Sequence, residues 1–307
     1  MKHLKSWAAL ENIIETHINE LYGSLSDEVK KATFLQSLYT AKNELRNLNS
    51  GSNVNYSLPY MGEAYALYYH VQRVDNIYLT LDEINKSFPF AKNIKVFDVG
   101  SGTGSGAMAM CSWLHRNYLQ VKSSLEVWAV EREIQMRSTA IKLSSHLKPL
   151  AQANNLNFTY RQHLDLDQAV ESLRGNYVDL LLFSYTFDIV PPAKQATEMY
   201  RILTLIQRLI SDGVVLFLTP SAIPAKVNFI NALVSYLEDA GMQSLPINIE
   251  KGTRYCATKK LGRLRRSCEK VNYECNRLGV PVVYEREDDF PWCGYYAQPN
   301  ALIWRKQ

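Results

Sequence analysis

Residues 96–106 read Val-Phe-Asp-Val-Gly-Ser-Gly-Thr-Gly-Ser-Gly, so one carboxylate, Asp98, stands two residues before alternating glycines at 100, 102, 104 and 106. The apolar residues Ile94, Val96, Phe97 and Val99 precede the turn, and Ala107, Met108, Ala109 and Met110 follow it. That order predicts a buried strand, a tight turn and a helix start. Glycine permits positive φ and lets a ligand approach the backbone closely. A helix N-terminus adds unpaired N–H donors and partial positive charge. The segment therefore has the chemistry to hold a nucleotide-like ligand or an anionic group.

Spacing narrows the ligand. A nicotinamide-cofactor turn is spaced G-x-G-x-x-G, with its helix packed over a pyrophosphate. Here Gly100, Gly102 and Gly104 alternate, with Asp98 two residues ahead. This D-x-G-x-G-x-G arrangement resembles the first motif of class I S-adenosylmethionine-dependent methyltransferases. That cofactor carries no phosphate, and a carboxylate beside its ammonium group is favourable. The resemblance implies that Asp98, Gly100, Ser101, Gly102 and Gly104 hold S-adenosylmethionine or S-adenosylhomocysteine.

The elements that must position the turn follow from hydrophobic pattern. Leu125–Glu131 is an apolar strand ending in an acid, and in a doubly wound sheet such an acid takes ribose hydroxyls. The interval from Gly100 to Glu131 exceeds the roughly 20 residues usual for that fingerprint. The helix through Trp113, Leu114 and Tyr118 must then be extended or followed by a loop; the plain alternative for Glu131 is a strand-end charge. Leu156–Gln162 reads as a third strand, followed by His163, Asp165 and Asp167. Asp165 is expected to face the adenine, with Asp167 as alternate and a solvated acidic turn as the competing reading. Tyr177–Phe183 is a nearly continuous apolar strand, as a sheet covered on both faces requires. It runs into Ser184, assigned to the cofactor, then Tyr185-Thr186-Phe187-Asp188. Gly213–Thr219 is a fifth strand, with helical spacing over 196–210 before it.

Strands alternating with helices predict an α/β fold: a Rossmann-like, doubly wound, mostly parallel sheet with an N-terminal helical cap and a C-terminal insertion. The organisation expected is a cap over 1–90, a cofactor-binding core over 91–250, and a basic, cysteine-containing insertion with the final strands over 251–307. Helices are expected over 4–22 and 27–48, the second starting at Ser26 and Glu28. Residues 47–52 read as a linker, and 58–88 as a long aromatic-rich helical region whose tyrosines (Tyr60, Tyr65, Tyr68, Tyr69, Tyr78) form a packing face.

The chain has 307 residues, 47% of them hydrophobic, enough for a substantial core. It contains no run of 18 apolar residues, so no membrane partner is expected. Its start is too acidic for a transit peptide and lacks a secretory apolar core, which predicts a cytoplasmic protein, or a mitochondrial one in a eukaryotic host. The net charge of +4 conceals a basic strip. Residues 251–270 hold Lys251, Arg254, Lys259, Lys260, Arg263, Arg265, Arg266 and Lys270 against a single acid, Glu269. Such a strip suits phosphate contacts and hence RNA, while a solvated charged helix is the alternative.

Cys111 falls in the first helix of the core and reads as a packing residue. Cys256, Cys268, Cys275 and Cys293 fall in the C-terminal part, separated by eleven, six and seventeen residues. Four cysteines suffice for zinc or an iron–sulfur cluster, although these spacings lack a C-x-x-C pair. Independent buried thiols are the alternative.

Four stretches resemble the mitochondrial and bacterial small-ribosomal-subunit methyltransferase-like family, which supports ribosome assembly. They are Tyr56-Ser57-Leu58-Pro59-Tyr60, the glycine turn, Phe183-Ser184-Tyr185-Thr186-Phe187, and Pro291-Trp292-Cys293-Gly294. The resemblance implies that Cys256, Cys268, Cys275 and Cys293 bind an iron–sulfur cluster and that the small ribosomal subunit is a partner. The family's Cys-Pro-His run is replaced here by Cys256-Ala257-Thr258.

Methyl transfer requires alignment of a nucleophile and, for some acceptors, removal of a proton. Base N-methylation usually goes with an Asn/Asp-Pro-Pro-aromatic run, where this chain has Ser184-Tyr185-Thr186-Phe187. No cysteine stands at the fourth or fifth strand end for cytosine C5 chemistry. Tyr185 and Asp188 are expected to border the acceptor, with Asp188 or His163 as base. Three functions stay open: a methyltransferase acting on RNA or a ribosomal component, a cofactor-binding ribosome-assembly scaffold with little catalysis, and a small-molecule methyltransferase with an aromatic acceptor.

Overall fold

A computed structural model of the chain describes residues 3–47, 54–118, 121–184, 192–219, 224–245 and 300–306. Helices α1 (His3–Ser24) and α2 (Glu28–Leu45) lead to α3 (Met61–Tyr65), a π-helical turn (Ala66–His70) and α4 (Val71–Ser87). Then follow β1 (Asn93–Val99), α5 (Ser105–Asn117), β2 (Ser123–Val130), α6 (Ile134–Ala153), β3 (Leu156–His163), α7 (Leu166–Ser172) and β4 (Val178–Ser184). The remainder comprises α8 (Pro192–Ile206), β5 (Leu209–Thr219), α9 (Pro224–Asp239), β6 (Met242–Ser244) and β7 (Asn300–Lys306).

The strands form one sheet in the order β3-β2-β1-β4-β5-β7-β6. Strands β1 to β5 pair in parallel, whereas β7 runs antiparallel to both β5 and β6. The fold is thus the expected doubly wound, mostly parallel α/β sheet. Strand β1 lies between β2 and β4, where the direction of winding reverses. At such a switch point the connections leave a crevice beyond the carboxyl ends of the strands.

Alternation along β1 divides the interior. Ile94 and Val96 join Leu180 and Leu182 in a core shared with α1 to α6, while Phe97 joins Leu181 and Phe183 in a second core. The second core is closed by Ala169 of α7, Ile202 and Leu205 of α8, and Phe229 and Leu233 of α9. With a side-chain period of two, Asp98 falls on the same face as Val96. It therefore lies under the N-terminal helical layer.

The expected packing role of the tyrosines is seen: Tyr68 and Tyr78 are buried, and Tyr60, Tyr65 and Tyr69 pack against the same core half-buried. Three local expectations are corrected. Helix α2 is capped by Asp27 rather than Ser26, since Asp27 Oδ1 accepts the Lys30 N–H at 2.8 Å. The aromatic helix starts at Met61 and carries the π-helical turn, which periodicity did not predict. Strand β5 starts at Leu209 rather than Gly213: Leu209 pairs with Val178, after which the register shifts so that Leu180 pairs with Val214. Asp212, at φ 69°, lies within that irregularity.

One close helix crossing ties the N-terminal layer to the sheet domain. A Cβ on Gly62 would lie 2.2 Å from Thr139 Oγ1 and 2.4 Å from the Gln135 carbonyl oxygen of α6. Beside it, Glu63 Oε1 accepts the Thr139 hydroxyl at 2.9 Å and lies 3.3 Å from His17 Nε2 of α1. Since the obstruction at Gly62 includes backbone, Gly62→Ala should destabilise the protein by about 1–3 kcal/mol through overpacking. Denaturant unfolding followed by far-ultraviolet circular dichroism tests this; an unchanged midpoint would mean that α3 and α6 separate freely.

Candidate active site at the end of strand β1

The turn after β1 needs glycine at three places. Gly100, Gly102 and Gly104 have φ of 66°, 56° and 86°, the left-handed region that glycine enters without steric cost. Its hydrogen bonds hold the turn to both neighbouring elements. The Ser101 N–H donates to the Val130 carbonyl at 2.9 Å, and the Gly104 N–H closes the turn onto the Ser101 carbonyl at 2.8 Å. Helix α5 then starts with the Met108 N–H donating to the Gly104 carbonyl at 3.2 Å.

Glu131, the residue after β2, supplies the third attachment. Its Oε2 accepts the Gly102 N–H at 2.8 Å and its Oε1 accepts the Glu133 N–H at 2.8 Å. Register explains the reach: Val99 pairs with Val130, so the first residue beyond β2 stands beside the turn beyond β1. The carboxylate read from sequence as a ribose ligand is thus already a backbone acceptor at both oxygens. Each oxygen retains a second lone pair for a hydroxyl donor. Burial raises the Glu131 pKa despite these bonds.

Asp98 is the unusual group. It is fully buried, and neither carboxylate oxygen has a hydrogen-bond partner. A Cβ on Gly106 would lie 2.3 Å from its Oδ2 and 2.6 Å from Leu182 Cδ2, so only glycine lets α5 pass over the carboxyl group. Burial, with the Glu131 charge as a smaller cause, pushes the Asp98 pKa up to about 8. An unpartnered buried carboxyl is costly, and a cation or hydrogen-bond donor brought to it would recover that cost.

Other side chains complete the surround. Met136 Cε lies 3.5 Å from where a Cβ on Gly102 would stand, and Tyr160 Oη lies 3.5 Å from the same position on Gly104. The Tyr160 hydroxyl donates to Gln162 Oε1 at 2.6 Å, and the Gln162 amide donates to the carbonyls of Ala129 and His163. His70 lies 2.7 Å through Nδ1 from Thr103 Oγ1, inside the turn. None of these five was singled out from sequence. Thr103 lay in view within the glycine motif, but nothing in periodicity marks a helical histidine or methionine for a turn distant along the chain.

The remaining predicted residues divide. Asp98, Gly100, Ser101, Gly102, Gly104 and Glu131 are brought together. Ser184 ends β4, half-buried, beside this group in strand order. Asp165 is the N-cap of α7, its Oδ1 accepting the Gln168 N–H at 2.8 Å, and Asp167 is exposed in the first turn. His163 ends β3, two strands from β1, with Nε2 3.1 Å from Ser172 Oγ. The Ser172 hydroxyl donates to the Ala169 carbonyl, so it accepts from the His163 ring. Burial, then the Arg161 charge, lowers the His163 pKa. Tyr185, Asp188, Cys256, Cys268, Cys275, Cys293 and the basic strip lie outside the described residues. Among the described residues no three His, Cys, Asp or Glu side chains form a metal-binding group, Cys111 is a buried free thiol, and no helix is long and apolar enough to cross a membrane.

No family model matches the chain, and no curated protein sequence matches it. Among solved structures, the chain is similar to a protein of Listeria monocytogenes assigned to the class I S-adenosylmethionine-dependent methyltransferases, at 13% identity and TM-score 0.45, covering 98% of this chain and 88% of that one. It is similar to the plantazolicin methyltransferase BpumL in complex with S-adenosylhomocysteine, at 12% identity and TM-score 0.42, covering 96% and 99%. A third likeness is to an rRNA methylase from Streptococcus thermophilus, at 11% identity and TM-score 0.38, covering 76% and 94%. These neighbours are methyltransferases whose named acceptors differ.

The raised Asp98 pKa has a definite sign for stability. An unfolded carboxyl titrates at about 3.9, and the folded one at about 8. Between those values the folded state binds the extra proton, so the ligand-free protein loses stability as pH rises through that window. Above it both states are ionised and the dependence ends. Asp98→Asn should flatten this descent, measured by urea unfolding at intervals from about pH 5 to about pH 8. Parallel wild-type and variant curves would mean that Asp98 is already ionised in the folded protein.

Proposed function

We propose that the chain binds S-adenosylmethionine at the turn after β1 and transfers its methyl group to RNA or a ribosomal component. One observation carries the cofactor assignment: a fully buried carboxyl, Asp98, with both oxygens unpartnered beside a turn of left-handed glycines. The cofactor carries a sulfonium and an ammonium charge, and the site offers carboxylates at Asp98 and Glu131. A dinucleotide suits it poorly. The Gly102 N–H that a pyrophosphate would take is already given to Glu131, and two carboxylates repel a second anion.

In this reading Asp98 and the backbone of Gly100, Ser101, Gly102 and Gly104 hold the amino-acid end of the cofactor. Glu131 keeps the turn closed and offers its free lone pairs to the ribose hydroxyls. Asp165 and Ser184 are the proposed contacts on either side. When bound, the cofactor supplies an electrophilic methyl group on sulfur. Asp98 gives up its proton as the cation arrives, and the buried surroundings then strengthen the charge pairing because little water screens it. The basic strip at 251–270 supports an anionic acceptor, with Arg263, Arg265 and Arg266 as phosphate contacts.

Calorimetry on the full chain tests the cofactor assignment. S-adenosylmethionine should bind with proton release near neutral pH, seen as a dependence of the heat on buffer ionisation enthalpy, and binding should tighten as pH rises toward about 8. Gly102→Val should remove binding, because a β-branched residue at φ +56° is strained. An absence of heat with both S-adenosylmethionine and S-adenosylhomocysteine would reject the assignment. For the acceptor, transfer of labelled methyl to ribosomal RNA is expected. Neutralising the three arginines should weaken RNA binding and make the salt slope shallower by about 2 to 3 units; unchanged RNA binding would reject the RNA reading.

A further inference from the structure

The long helix of the N-terminal layer changes register at Ala66–His70. A π-helical turn accommodates one extra residue, which rotates everything after it by roughly 100° about the axis. Before the turn, Gly62 and Glu63 face α6, as their contacts with Gln135 and Thr139 show. Beyond it, α4 addresses α5: Asp82 accepts the Trp113 indole N–H at 2.9 Å, and the Tyr78 hydroxyl accepts from Arg116 at 2.6 Å. One residue stands at the end of the shift and reaches both the glycine turn and the first turn of α5. His70 is completely buried, with Nδ1 2.7 Å from Thr103 Oγ1 and Nε2 3.3 Å from Met108 Sδ.

These partners define the ring's state. A thioether sulfur accepts weakly and never donates, so Nε2 carries the hydrogen and Nδ1 accepts the Thr103 hydroxyl proton. Burial holds the imidazole neutral, its pKa pushed down to about 3. Thr103 is itself buried between two left-handed glycines, and its hydroxyl donates to this ring nitrogen. Without the ring, a buried donor at the tip of the turn would be left unpaired.

We propose that His70 is a positioning residue for the glycine turn: it fixes Thr103 from the N-terminal layer while Glu131 fixes Gly102 from the sheet. The π-helical turn places the ring there without moving either helix half from its own packing partner. The turn is therefore held from two sides, by an anionic acceptor at one residue and a neutral one at the next. This inference rests on the cofactor reading only for its effect on affinity; its structural part stands without it.

The test compares His70→Asn, whose amide stands in for Nδ1, with His70→Gln, whose amide stands in for Nε2, and with Thr103→Val. In the ligand-free protein, His70→Gln and Thr103→Val should speed amide hydrogen exchange at Gly102 and Gly104 while the β1 amides keep their protection; His70→Asn should leave all of them near wild type. Affinity for S-adenosylhomocysteine should fall about tenfold in His70→Gln and in Thr103→Val, equivalent to about 1.4 kcal/mol, and no further in the double variant. Turn amides that ignore all three substitutions, or affinity losses that add as for independent sites, would overturn the proposal. If a variant fails to fold, nitrogen NMR of the wild-type imidazole decides: a proton on Nε2 is expected, and a proton on Nδ1 overturns it. Absence of S-adenosylhomocysteine binding in the wild type, with turn amides that still respond, would reject the cofactor reading and leave the positioning role in place.

Discussion

The site depends on one hydrogen bond between strand ends. Strands β1 and β2 are paired in parallel with Val99 beside Val130, so Glu131 emerges where the backbone of Gly102 needs an acceptor. Left-handed glycines alone do not define a turn, because the same freedom that admits the conformation gives it many alternatives. A half-buried carboxylate that accepts N–H groups from both the turn and Glu133 removes those alternatives. Sheet register, set by hydrophobic alternation far below the turn, is thereby converted into the shape of the turn's backbone.

The same bond sets the electrostatics. Glu131 is kept as an acceptor next to Asp98, whose oxygens lie beneath Gly106 without partners. The Glu131 charge makes Asp98 harder to ionise, and burial acts in the same direction on both carboxyl groups. A ligand that brings positive charge relieves both costs at once; a ligand that brings negative charge adds a third repulsion. The electrostatic bias toward a cation at this turn is therefore a property of the free protein.

Much of this was legible in the sequence because it follows strict periods. The strand–glycine–helix order around Asp98 announces itself, and the apolar runs at Leu125–Val130 and Leu180–Phe183 leave little choice but buried parallel strands. Other features had a readable signal that favoured a different outcome. Asp165-Leu166-Asp167-Gln168 carries the pattern of a helix N-cap with a residue able to reach back three positions on, and the structure uses Asp165 as that cap. Leu209 and Ile210 continue a helical apolar spacing, yet they belong to β5 because Val178 needed a partner there. The π-helical turn left no signal at all. One added residue in an unbroken aromatic helix changes which face is buried without introducing a glycine or proline to mark it. His70 was invisible for the same reason, since its role depends on that rotation and on a partner in another element.

That rotation explains how the N-terminal helices reach the glycine turn as well as covering a sheet face. An uninterrupted helix keeps one stripe along its length, whereas α3 contacts α6 and α4 contacts α5. With a single stripe, either Gly62 loses its close approach to Thr139, or Asp82 loses the Trp113 indole and Tyr78 the Arg116 guanidinium. Inserting one residue satisfies both contacts, and it does so at the level of Thr103. The irregularity thus falls between the segment that packs on α6 and the segment that packs on α5, and its last residue, His70, meets the glycine turn at Thr103. A buried polar side chain at that point has the turn within hydrogen-bonding reach, and a neutral imidazole meets the requirement without adding a charge beside Asp98 and Glu131.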